Sequence, residues 1–384
     1  MPLPAPRQGT ELILKGRALE FSYWPVARTT RRYGLASRFY ATDPWMMIRR
    51  SVANRLPVRD RRAASALVEQ AEDFYRASKS GASAAKPLLL YYCFMNLVKA
   101  YLLVSGRRPT VDNAQHGISE RSRVWPLIGA TIEAHHTPAS GIALTGRRRI
   151  QIFDEFHLAI TGRNLPLTRY RLTTLLPQVV PGHRLWAIGA GPTTPERFLA
   201  VAKIEFVQST AANQMWLRLY FYADDLKRLA MTHRMLMSCT GLDQNFHEVA
   251  IGPVGWTSRD LVCFEQRTPL VYARRSADRI QDLVATLRHK LWPTVLNVSP
   301  YRKYYVYACP ANERRQELPQ LLSIYAIAFY LGSITRYRPH HFDKIWNGKY
   351  GPFIETFLLD QPSQFIYLMA SEFSQRDLAK AELA

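Results

Sequence analysis

Arg336, Pro339, His340 and His341 stand together in the stretch "TRYRPHHF". An arginine guanidinium can clamp a phosphate with two parallel hydrogen bonds, and an imidazole exchanges protons near neutral pH. On one unbroken helix, positions five apart lie ~140° around the axis, so Arg336 and His341 would not converge. Pro339 changes that expectation. It disfavours helical geometry at Arg338 and suits the first turn of a new helix. Arg336 then falls in the last turn of one helix, and His340 and His341 in the first turn of the next. Free N–H groups at that helix start attract anions, and the same field disfavours histidine protonation. The set suits metal-independent RNA cleavage by attack of a 2′-OH, leaving a 2′,3′-cyclic phosphate and a 5′-OH. Arg336 would hold the phosphate and His341 would act as general base or acid, with His340 as its partner or as the acting residue. Two other readings of the same residues stay open: anion binding without catalysis, and ordinary helix-end capping followed by a solvated turn.

A wider set of residues suits binding. "ARTTRRYGLASRFY" carries Arg31 and Arg32, "GRRRIQIF" carries Arg147, Arg148 and Arg149, and "PYRKYYVYA" carries Arg302 and Lys303. With Arg338 these supply cations for phosphates, interleaved with tyrosines that can stack on bases. The competing reading, strongest for Tyr304 to Tyr307, is a strand with one buried aromatic face. The balance of 51 Lys+Arg against 30 Asp+Glu gives +21 in 384 residues and favours a polyanionic partner, with RNA preferred. A scaffold subunit of a larger nucleic-acid-associated complex is the alternative.

Other candidates are weaker. His116 in "QHGIS" reads as a turn histidine or as a member of the same site, while His135 and His136 read as a surface loop. The four cysteines have no paired spacing, so neither a disulfide framework nor a metal site is expected. Asp154, Glu155 and Glu205 lack metal-nuclease spacing. Signatures for zinc proteases, α/β-hydrolases, P-loop and dinucleotide enzymes are missing, so no cofactor is expected. Leu88 to Val104 is broken by Asn96 and Lys99 and reads as a core helix, and the start of the chain has no apolar signal region. The expected location is the cytoplasm, with no membrane partner.

These residues need elements to position them. Residues 1–60 read as an irregular basic, aromatic-rich segment with short strand-like pieces. Residues 61–135 hold an amphipathic helix from about Arg61 to Ser78, then a buried helix starting near Pro87, as an antiparallel pair. Residues 136–310 read as a mixed α/β insert. Its strands are expected at "RRRIQIF", "RLWAIG", "FLAVAKIEFVQ", "QMWLRLYFYA", "LVCFEQ", "PLVYA" and "YRKYYVYAC". Its helices are expected over "DDLKRLAMTHRMLMSC", capped by Asp224 or Asp225, and from about Ser276 to Leu291. Residues 311–384 return to helix and carry the Arg336–His341 stretch.

"KPLLLYYCFMNLVKAYLL" followed by "HGIS", together with "LLSIYAIAFYLGSITRYRPHHFDKI", resembles the two helical ends of the YaaC-like family. Those helices in turn resemble the HEPN superfamily of small helical bundles. The resemblance implies an α+β chain whose N- and C-terminal helices form a HEPN-like bundle around the mixed α/β insert. It also implies a metal-independent ribonuclease in bacterial defence or stress, acting as a homodimer or within a larger complex. The HEPN signature, an Arg followed by four to six residues and a His, maps onto Arg336 and His341. Tyr337 departs from it, because active members commonly carry a small polar residue there.

Overall fold

Lys86–Val104 is apolar around nearly its whole circumference, so it is stable only when covered on every side. In the computed structural model it is covered by three helices. The structure describes residues 2–14, 16–24, 38–80, 84–121, 127–138, 149–179, 183–191, 197–288, 291–295, 302–310 and 312–380. Val58–Ser80 runs antiparallel to Lys86–Val104, as its spacing predicts, with Ala64, Val68 and Ala71 facing inward. Phe74 stacks on Tyr92, and one register further along Asn96 Nδ2 donates to Gln70 Oε1 at 2.7 Å. Gln320–Tyr337 crosses the same helix at Gly332, where an added Cβ would lie 3.1 Å from Tyr91 Cβ and 3.3 Å from Pro87 O. Gly351–Ser374 covers another side, with Phe365 stacked on Phe94 at 4.0 Å and Phe373 against Tyr101. By length and composition Lys86–Val104 is apolar enough to cross a membrane, yet 78% of its apolar window is buried inside the protein.

The chain divides into two compact units. One comprises Asp43–Thr194 and Asn312–Ser374, the other Met1–Thr42, Pro195–Ala311 and Gln375–Ala384. The first holds the helices above and the helix Pro44–Arg55, which falls inside the stretch expected to be irregular. Asp43 caps that helix by accepting from Trp45 N at 2.9 Å, Pro44 occupies its first turn, and Trp45, Ile48 and Val52 are buried. This unit also contains a three-stranded antiparallel sheet in the order Ile118–Arg121, Thr131–Ala134, Arg169–Arg171. Two expected strands are helices instead. The end of "RRRIQIF" opens Ile152–Thr161, and "RLWAIG" lies in His183–Ala190.

The second unit centres on an antiparallel sheet. Lys203–Ser209 pairs with Gln214–Tyr222, which pairs with Leu261–Gln266, which pairs with Phe246–Val249. The chain's start supplies an edge, because Thr10–Glu11 pairs with Lys203–Ser209. Phe198–Ala200, Leu291–Val295 and Arg302–Tyr307 form a second sheet, and Asp377–Lys380 pairs in parallel with Arg38–Ala41. The helical run expected over residues 224–239 is two short helices, Ala223–Arg228 and His233–Thr240. Asp224 and Asp225 lie in the first turn of the former and not at its cap. The stretch from Ser276 forms a 3₁₀ turn and the short helix Ile280–Ala285, and Leu291 begins a strand.

The expected fold class is therefore corrected. Helix and sheet both abound, as an α+β reading requires, but no helical bundle wraps a single insert. Strands from both chain ends enter the β-rich unit, and the helix-rich unit carries its own sheet. The physical reason is pairing at long range: backbone groups of short terminal strands find ladders some 200–340 residues away, which local periodicity does not encode.

Candidate functional site

The break at Pro339 forms where the sequence places it. Gln320–Tyr337 ends at Arg338, whose φ of −146° and ψ of 61° leave helical geometry, and Pro339–Trp346 starts at the next residue. Arg336 Nη1 donates to Tyr92 Oη at 2.9 Å, and its guanidinium lies 5.0 Å from the Tyr337 ring centre. His340 and His341 sit together on the following helix, ring centres 4.5 Å apart. His341 Nδ1 is buried without a hydrogen-bond partner among the described residues. Desolvation, then the charges of His340, Arg338 and Lys344, hold His341 below the ordinary histidine value against the opposing pull of Glu120. Arg338 pairs with Glu120 at 3.2 Å.

A cleft of about 300 Å³ opens beside Arg336, and His116 lines it too. Neither His340 nor His341 lines it. Tyr91, Tyr92, Phe329 and Tyr337 give it aromatic walls, while Ser119 and Glu120 add polar edges. His116 Nδ1 and Tyr91 Oη are hydrogen-bonded at 2.5 Å. Burial, reinforced by neighbouring Tyr325, raises the Tyr91 pKa well above its ordinary value, so the phenol keeps its proton. Desolvation first, then the charges of Lys99 and Arg336, lower the His116 pKa and favour the neutral imidazole.

Backbone geometry fixes His116. Gly117 has φ +76°, and an added Cβ would lie 2.7 Å from Phe153 N. Hydrogen bonds from Gln115 N to Ile150 O, from Ile152 N to Gln115 O and from His135 N to Gly117 O pin the segment on both sides. Only glycine fits such a turn at this packing distance. The "HG" dipeptide was the available signal. It remains ambiguous alone because the aromatic partners come from helices 25 and more than 200 residues away.

Among the described residues, none of the other sequence candidates lines this cleft. Arg149 is exposed, and its carbonyl accepts from Gln151 Nε2. Arg302 and Lys303 lie on the strand Arg302–Tyr307 of the other unit, and Arg31, Arg32, Arg147 and Arg148 lie outside the described residues. Asp154 is engaged by His136 and Thr137, Glu155 by Arg107 and Arg108, and Glu205 by Lys203 and Tyr220. No group of three or more metal-ligating side chains occurs among the described residues.

Fold and site together define an α+β protein with an aromatic, cation-edged cleft between two core helices and a short sheet. The profile of the YaaC-like protein family matches residues 22–373, and the chain belongs to that family. No curated protein and no solved structure matches it.

Proposed function

We propose that this protein binds single-stranded RNA, with a phosphodiester held at Arg336 and His116 and a neighbouring base stacked among Tyr91, Tyr92, Phe329 and Tyr337. One observation carries this reading: the Arg336 guanidinium stands at an aromatic cleft, beside an exposed tyrosine ring, in a chain of net charge +21. Arginine gives the bidentate phosphate contact and the rings give sequence-tolerant stacking.

The state of His116 favours a second reading, cleavage of the bound strand without a metal. Tyr91 holds its proton, so it either donates to Nδ1 or accepts from it. If it donates, Nε2–H is a neutral donor to a phosphate oxygen. If it accepts, the Nε2 lone pair is free to take a proton from a 2′-OH. His116 would then perform the role first assigned to His341.

One experiment addresses both readings. Labelled single-stranded RNA and tRNA are incubated with protein in EDTA, using wild type and the Arg336→Ala, His116→Ala and His341→Ala variants. Binding should weaken with added salt and weaken further in Arg336→Ala. Products ending in 2′,3′-cyclic phosphate, lost in His116→Ala and kept in His341→Ala, establish cleavage at this cleft. Binding without products retains the first reading and removes the second. No binding at any salt concentration removes both.

A further inference from the structure

His116 and Ile118 line a second cleft as well, of about 440 Å³, together with Lys99, Gln115, His135 and Gln151. The two clefts thus share the wall formed by His116 and Ile118. A hydrogen bond of 3.0 Å between Ser119 Oγ, on the first cleft, and His135 Nε2, on the second, spans the ridge. Lys99 is the one Lys, Arg, Asp or Glu on the second cleft, half-buried on a largely apolar helix. Its ammonium makes no hydrogen bond or ion pair among the described residues. Burial lowers its pKa from the ordinary lysine value, and Asp112 only partly offsets that. An ammonium left in that setting gains most from an anion brought to it. Gln151 Nε2 donates to Gln115 Oε1 at 3.1 Å, which turns the Gln115 amide so that its NH₂ group is available as a donor.

We propose that the Lys99 cleft is a second phosphate subsite, so that consecutive nucleotides of one RNA strand lie on either side of His116. The inference rests on the RNA reading of the Arg336 cleft and adds to it that the preferred ligand carries two adjacent phosphates. Lys99 takes the second phosphate as a point charge, and the Gln115 amide adds a neutral donor. A mononucleotide or a single phosphodiester fills only half of the groove.

Fluorescence anisotropy with fluorescein-labelled 2′-O-methyl oligouridylates, which lack the attacking hydroxyl, tests this without cleavage. In wild type, the step from one internucleotide phosphate to two should tighten binding roughly tenfold, as expected for one charge-assisted contact. Lys99→Met should abolish that step and reduce the slope of log affinity against log salt by about 0.7. Arg336→Gln should weaken every length. Gln115→Ala, at an exposed position on the same cleft, should lower affinity for the longer ligand by roughly fivefold, and it serves as the readout if Lys99→Met does not fold. Binding weakened by Arg336→Gln but unchanged at every length by Lys99→Met and Gln115→Ala overturns the second subsite and leaves the first cleft standing. Binding that is absent, or insensitive to Arg336→Gln, removes the first cleft and the subsite with it.

Discussion

His157 and His116 both sit below the ordinary histidine pKa, but their surroundings give the shift different uses. His157 is 5% exposed, and Nδ1 donates to Arg163 O at 2.8 Å, so its neutral form is a structural strut. Desolvation lowers its pKa, opposed by that hydrogen bond and by Asp154. The folded state therefore binds fewer protons than the unfolded state once the pH falls below the free histidine value of ~6.5. Stability contributed by neutral His157 is complete above that value and is lost as pH falls from it towards the lowered folded pKa. Urea unfolding at pH 7.5, 6.5 and 5.5 should show an acid-side decline to which His157 adds up to about 1.4 kcal/mol per pH unit. His157→Gln should flatten that part of the decline. Equal slopes in the variant and wild type would refute the assignment. His116 stands exposed at the cleft, so the same lowering also keeps its neutral form available there.

At the scale of elements, the turn at Gly117 links the sheet to the cleft. Replacing Gly117 by alanine puts a Cβ at φ +76°, where left-handed geometry costs ~1–2 kcal/mol, and drives it within 2.7 Å of Phe153 N. Because that neighbour is backbone, the variant should lose about 2–4 kcal/mol by chemical denaturation and move His116 off Tyr91. A loss below 1 kcal/mol would show that the turn relaxes freely. Periodicity made the paired helices legible, since Ala64, Val68 and Ala71 repeat at helical spacing, and it made the break at Pro339 legible through proline sterics. It misread "RRRIQIF", whose Ile150 and Ile152 alternate in sequence, whereas Ile150 to Phe153 are all buried and the chain turns helical at Ile152. Arg336 was legible as a candidate anion ligand because it lies in a basic run. That it shares a cleft with His116 was not, because that depends on how closely two helices cross at Gly332. Lys99 was visible only as a break in an apolar run, and its meaning comes from the cleft beside it.

At the scale of the molecule, the β-rich unit is assembled from three separated stretches, and its central carboxylate shows why the first is not dispensable. Glu265 is 1% exposed and accepts from Trp216 Nε1 at 3.0 Å, Arg218 Nε at 2.9 Å and Arg7 N at 3.1 Å. The last donor comes from the chain's start, where Gly9 lies so close to Trp216 that a Cβ would fall 2.6 Å from the indole. Leu12 N continues the ladder to Phe206 O at 2.7 Å, and Phe21 stacks on Phe206 at 5.8 Å. A fragment of residues 195–311 keeps most strands in sequence yet loses this edge. Glu265 then loses one of its donors, Trp216 loses its cover, and the hydrogen-bonding edge of Lys203–Ser209 is bared for association. Losing one hydrogen bond to a buried carboxylate costs about 1.5–3 kcal/mol, and with the bared indole it takes a large share of the 5–15 kcal/mol that typically holds a domain folded. The isolated fragment should therefore show no cooperative melt in the near-ultraviolet circular dichroism of its tryptophans and should self-associate. Co-expression with residues 1–24 should restore part of the transition. A fragment that melts cooperatively at the full chain's temperature would mean that the sheet stands without its first strand, and that the terminal stretches serve something other than its stability.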